Sequence, residues 1–205
     1  EALFAARSAL PPLYRQAEFA DGRKVVAWIE SDPVRQVTST WIRWQPKPEG
    51  DWSAPMSLTE EERASSVNLS LTASPDGRIL VAGTAAETGL GLNAAIVRLT
   101  AAGAVDTSFG GGPFTFGDGA DEWATDLLIE PSGSVLVASV RQSGATEYGY
   151  RVHRYSAAGA YETGLGLGAT TNARPMIRLA HDPVSGKLLI GVAAWDGTKS
   201  QIRIG

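Results

Sequence analysis

Three carboxylates stand close together in the turn GDGADE, at Asp118, Asp121 and Glu122, interleaved with glycine. Side-chain and carbonyl oxygens clustered this way suit a hard cation such as Ca²⁺. The stretch lacks the twelve-residue pattern of an EF-hand, and an acidic Gly-rich turn fits a solvated surface better than a metal site. Calcium is the one cofactor these residues raise, and no other is expected. Paired carboxylates could also do the acid and base work of glycoside hydrolysis. With 22 acidic residues some close pair is almost inevitable, so pairing alone singles out no residue.

Aromatic residues supply the second candidate chemistry. Four of the six Trp fall between Trp28 and Trp52, so this part of the chain differs in kind from the rest. In TSTWIRWQ, Trp41 and Trp44 are three positions apart, and an ideal strand sends them to opposite faces. One can pack in the core while the other meets solvent. An exposed Trp beside Arg43, with Trp52 nearby, could stack a sugar ring or anchor a protein partner. Core packing is the plainer account for most of them. Trp41, Arg43, Trp44 and Trp52 are the candidate binding residues.

Other catalytic groups are sparse. His153 lies in a strand beside Arg154 and His181 at the start of an Asp182-Pro183 turn, so nothing in the spacing predicts a shared site. A His-based triad or zinc centre is poorly supported. There is no Cys, which removes disulfides, thiolate metal sites and Cys nucleophiles together. Gly110-Gly111-Gly112 lacks the Gly-Lys-Ser/Thr ending of a phosphate loop. Glu60, Glu61 and Glu62 read as a solvated face. The net charge of −4, with no Lys/Arg cluster, argues against nucleic acid. No apolar run approaches the ~18 residues of a membrane span. The chain begins at Glu1, as a mature product or a fragment does.

The elements that must position these residues repeat. Four Gly-centred turns each lead into an apolar strand: DGRKVVAW from Asp21, DGRILVAG from Asp76, SGSVLVAS from Ser132 and SGKLLIGV from Ser185. Their glycines, Gly22, Gly77, Gly133 and Gly186, are spaced by 55, 56 and 53 residues, a near-fixed period that marks a repeat architecture. In the second unit NLSLTA precedes the turn and AAIVRLT follows the strand. YRVHRYSAAG echoes AIVRLTAAG one unit later. Arg43, Arg98, Arg154 and Arg203 fall just before the end of each third strand. A recurring Arg suits a structural task, such as capping carbonyls or pairing with an Asp of the next unit. About four strands per unit predict an all-β chain of about sixteen strands. The best helix candidate, Thr59–Ala64, has capping-box spacing but only six residues. Four-stranded units of this length are those of β-propeller blades.

The stretch from Asp76 to Phe116 resembles the bacterial delta-sixty repeat: DGRILVAG, then AIVRLTAAG, then VDTSFGGG. The third unit departs from that pattern, with Pro131-Ser132-Gly133 lacking the Asp and AYETG (Ala160 to Gly164) in place of Asp-Thr-Ser-Phe-Gly. The first unit is more like the loosely defined propellers of bacterial surface proteins, through Gly50-Asp51-Trp52-Ser53-Ala54-Pro55. The resemblance implies a β-propeller in a bacterial surface or secreted protein and implies no reaction. A Ser-Xaa-Asp-Xaa-Gly-Xaa-Xaa-Trp box of the sialidase type is not evident.

These readings give one propeller-like domain over 1–205, in units of approximately 1–52, 53–112, 113–160 and 161–205. It is either a small complete ring or part of a larger or assembled one, with Glu1–Leu10 a candidate closing strand. The expected function is a non-enzymatic interaction module, outside the cell or at its surface, that binds a protein partner or further blades through loop faces. The alternatives are a lectin-like glycan binder using the first-unit Trp residues, or a carbohydrate-active hydrolase. A hydrolase requires a concave site with two convergent carboxylates or a metal.

Overall fold

The computed structural model describes residues 13–32, 37–58, 68–87, 91–171, 173–195 and 200–204. They form four antiparallel meanders. The first runs β1 (Tyr14–Glu18), β2 (Lys24–Asp32), β3 (Val37–Trp44) and β4 (Met56–Ser57). The second runs β5 (Leu69–Ala73), β6 (Ile79–Glu87), β7 (Gly91–Leu99) and β8 (Phe114–Phe116). The third runs β9 (Glu122–Ile129), β10 (Val135–Gln142), β11 (Glu147–Tyr155) and β12 (Tyr161–Thr171). The fourth has three strands among the described residues: β13 (Met176–His181), β14 (Leu188–Trp195) and β15 (Ser200–Ile204). The fold is a β-propeller and each sheet is a blade. The expected unit ends at 52, 112 and 160 fall just before the outer strands β4, β8 and β12. No helix occurs among the described residues. The Thr59–Ala64 segment, the Glu60–Glu62 run and Glu1–Leu10 lie outside them.

The turn glycines explain the sharp return between first and second strands. Gly77 and Gly133 sit at φ 87° and 84°, where an L side chain is strained. Each donates its N–H back three residues, to Ser74 O at 3.0 Å and Glu130 O at 2.8 Å.

The second strands are apolar on both faces because a blade stands on either side of them. On β6, Ile79 and Val81 face the first blade and pack with Val25, Ala27 and Ile42. Leu80 and Ala82 face the third blade and pack with Leu127, Val135 and Val137. β10 repeats the arrangement, its Leu136, Ala138 and Val140 meeting Ile177, Leu179 and Val192 of the fourth blade. The first strands pack in series, β1 on β5, β5 on β9 and β9 on β13. Asp126 on β9 ties three of them: Oδ1 accepts from Ser70 Oγ at 2.9 Å and Oδ2 from Leu179 N at 2.8 Å.

The recurring Arg is a structural residue where its side chain is described. Arg98 donates from Nη1 to Ala157 O in the third blade at 2.6 Å, so it does cap a carbonyl of the next unit. Its carboxylate partner, Asp106 at 2.8 Å, belongs to its own blade rather than the next. Arg154 likewise pairs within its blade, with Glu130 and Glu162, both at 2.6 Å. Arg43 Nε caps Ser53 O at 3.1 Å. Beneath Arg98, at 4.5 Å from its Cζ, lies the ring of Phe109, fully buried between the second and third blades. The Asp-Thr-Ser-Phe-Gly element is therefore an inter-blade plug.

Candidate functional site

The third blade turns a row of polar and aromatic side chains toward the second, and a register shift puts them there. β9 and β10 pair Val137 with Leu127, but Ser139 with Ala124, because the ladder slips between Ala138 and Ser139. Such a bulge places two residues of one strand against one of the other and reverses which face the following side chains take. Leu127 and Ala124, three apart, consequently share the face toward the second blade. Glu122, two residues before Ala124, joins that face. Ser139 on β10 and His153 on β11 join it through the same pleat, since Val137 pairs with His153 and Ser139 with Arg151.

Glu122, Ser139 and His153 meet in a buried polar knot. Ser139 Oγ donates to Glu122 Oε1 at 2.6 Å and lies 2.9 Å from His153 Nε2. His153 Nε2 is 3.2 Å from the same Glu122 oxygen. With the Ser139 proton directed at the carboxylate, Nε2 carries the ring proton that faces both oxygens. This is not a nucleophilic triad. A triad needs the acid on one ring nitrogen and the hydroxyl on the other, whereas here both oxygens sit on Nε2 and Ser139 is wholly enclosed. The knot instead fixes Glu122. Gly117 packs beside it: a Cβ there would stand 2.4 Å from Asn93 Oδ1 and 3.6 Å from Glu122 Oε2.

In front of the knot is a cleft of about 500 Å³. Its walls are aromatic: Phe114 and Phe116 from β8, Tyr155 from β11 and Tyr161 from β12. The Phe116 ring lies 4.9 Å from His153 and 5.7 Å from Tyr155, and Tyr155 meets Tyr161 edge-on at 5.7 Å. Burial, and after it the charge of Glu122, pushes the Tyr155 phenol well above its ordinary value, so it stays a hydrogen-bond donor. Tyr161 is 60 % exposed and free to meet a ligand. Asp118 lines the same cleft. Arg141 Nε donates to its Oδ1 at 2.6 Å, and that bond holds its carboxyl below the usual range.

The residues singled out from sequence are distributed otherwise. Asp118, Asp121 and Glu122 do not form one ligand set: Asp118 turns to Arg141, Glu122 enters the knot, and Asp121 Oδ1 accepts Leu92 N at 2.8 Å, although Asp118 and Glu122 line the same cleft. No trio of metal-ligating side chains forms among the described residues. Trp44 is taken up by packing between blades, its indole lying where a Cβ on Gly103 would be, 1.9 Å away. Arg43 stands over the Trp52 ring at 5.8 Å, making a pair within the first blade. Trp41 is half-buried opposite Trp28 on β2. None of these four lines the cleft. His181 lies apart on β13. Sequence reasoning set His153 aside and missed Ser139, Tyr155 and Tyr161. The alternation in VHRY does put His153 and Tyr155 on one face, the only local signal they leave.

A β-propeller domain of unknown function, DUF5122, matches residues 74–109. No curated protein matches. Among solved structures, the Hadza microbial sialidase Hz136 has a TM-score of 0.67 at 10 % identity, over 94 % of this chain and 44 % of its own. A levansucrase mutant from B. megaterium has a TM-score of 0.61 at 10 % identity, over 94 % of this chain and 66 % of its own. The endo-arabinase from Bacteroides thetaiotaomicron has a TM-score of 0.57 at 15 % identity, over 94 % and 72 %. The chain thus spans less than half of that sialidase. At these identities the likeness is one of fold. It nonetheless corrects the expectation of a non-enzymatic module for a protein partner, because these similar propellers are carbohydrate enzymes.

Proposed function

We propose that this chain is a carbohydrate-active β-propeller domain that seats a glycan in the cleft between its second and third blades. One observation carries the reading: an aromatic wall and two differently held carboxylates share a cavity of about 500 Å³. Binding pockets of small ligands combine such apolar walls with a few fixed polar groups. Sugar rings offer C–H faces to the Phe116 and Tyr161 rings, and their hydroxyls suit Glu122, Asp118 and Arg151. Glycoside hydrolysis needs two carboxyl groups in different states. Asp118, tied to Arg141, is the ionised one. Glu122, fixed by Ser139 and His153, is the second, the one set at the glycosidic oxygen.

The repeat is assigned, on the same footing, to the delta-sixty type. The domain is assigned to an extracytoplasmic bacterial protein in which further blades extend the ring. Chromogenic glycosides and oligosaccharides test the reading. Turnover is expected, with Glu122→Gln and Asp118→Asn each lowering it by about 10²–10⁴. A folded wild-type chain that neither binds nor cleaves any glycan across a broad panel would sink it.

A further inference from the structure

A second cavity, of about 250 Å³, opens where the four blades bring their first strands together. Arg15 on β1, Asn68 and Leu69 at β5, Thr125 on β9, and Arg174 and Arg178 at β13 line it, and no Asp or Glu does. Arg23, Arg78, Arg98, Arg141 and Arg154 each pair with an Asp or Glu. Among the described residues Arg15, Arg174 and Arg178 have no such partner. Neutral contacts hold them instead. Arg15 Nη1 donates to Tyr14 O at 2.9 Å, and Arg178 Nη1 donates to Thr125 O at 2.9 Å and Ile177 O at 2.8 Å. The Arg174 guanidinium lies 4.8 Å over the Trp123 ring. Most of the five donors of each guanidinium stay unspent. Asn68 adds an independent sign: its Nδ2 is buried and has no hydrogen-bond partner among the described residues. A buried amide donor without an acceptor calls for one.

We infer that this central cavity binds an anionic group, the carboxylate or sulfate of an acidic ligand. Arg15, Arg174 and Arg178 neutralise the charge, and Asn68 Nδ2 donates to one of its oxygens. Guanidinium forks match the paired oxygens of either group. The cavity has room for a sulfate or one uronate ring rather than a long chain. The site is separate from the inter-blade cleft and does not depend on the reading of that cleft.

Calorimetric titration of the whole chain at low salt tests it. Sodium glucuronate and inorganic sulfate are the two probes, with glucose as the neutral control. One or both anions bind and glucose does not; which anion binds assigns the carboxylate or the sulfate chemistry. Arg15→Met and Arg174→Met each weaken the binding about tenfold or more, with circular dichroism unchanged. Tyr161→Ala, in the cleft, leaves it as it was. If Arg174→Met unfolds through loss of its Trp123 contact, Arg15→Met alone decides. Absence of anion binding, glucose binding as well as glucuronate, or full affinity in Arg15→Met would overturn the inference.

Discussion

Alanine at Gly159 and at Gly133 should cost different amounts, although the two turns are twins. Gly159 has φ 81° and Gly133 φ 84°. Both donate their N–H back three residues at 2.8 Å. The left-handed backbone alone costs an Ala about 1–2 kcal/mol at either position. The surroundings differ. At Gly133 a new Cβ would meet only Ala157 Cβ, at 3.4 Å, an ordinary contact. At Gly159 it would stand 2.5 Å from Gly110 N and 3.0 Å from Phe109 C, both backbone atoms of the second blade. Gly110 N also donates to Ala158 O at 2.9 Å, a bond that joins the blades and must stretch. Overpacking of this kind adds about 1–3 kcal/mol. Gly159→Ala should therefore lose about 2 kcal/mol more than Gly133→Ala in urea unfolding at an unchanged m-value. Because Gly110 and Gly159 both line the cleft, Gly159→Ala should also weaken glycan binding while Gly133→Ala does not. A difference below about 0.5 kcal/mol, at the edge of ordinary surface effects, would refute the backbone contact between blades.

Phe109→Ala removes the fully buried ring of the inter-blade plug and should cost about 3–5 kcal/mol in denaturant unfolding. A loss under 1 kcal/mol would mean that the blades do not close over it. Arg141 holds the Asp118 carboxyl below its ordinary value of 3.8. A depressed pKa means the ion pair is present above that ordinary value and is lost only as pH falls through the lower folded one. Arg141→Met should therefore raise the Asp118 pKa, seen by carbon NMR of the carboxyl group, and move the acid limb of activity to higher pH. An unmoved titration would remove Arg141 from the account.

How far the sequence reached can be judged residue by residue. Gly77 and Gly133 sit in tight turns with positive φ, as a residue without Cβ at the end of a Pro-led turn must. The unbroken apolar runs on β6 and β10 announce strands buried on both faces, and the blades follow from stacking them. Arg98 was readable as a structural residue from its recurrence alone. The cleft was not readable, because it depends on the slip between Ala138 and Ser139. That one-residue offset turns Glu122 toward Ser139 and His153, and nothing in the local residue pattern records it. Strict alternation would have put Glu122 and Ala124 on the face opposite Leu127. The Trp-rich first unit drew attention by composition, yet Trp44 is spent on Gly103 of the second blade, a contact between residues far apart in the chain. The third unit's lack of Phe at the plug position was visible as a departure. The place of the exposed Tyr161, at the mouth of the cleft, needed the register of β11 and β12.

A crystal structure of the Glu122→Gln variant with its best-bound oligosaccharide tests the central claim most directly. The account predicts a sugar ring in van der Waals contact, about 4 Å, with the Tyr161 and Phe116 rings. It also predicts the glycosidic oxygen within about 3.2 Å of the residue-122 side chain. A glycan bound elsewhere on the propeller, with the cleft between the second and third blades empty, would contradict it.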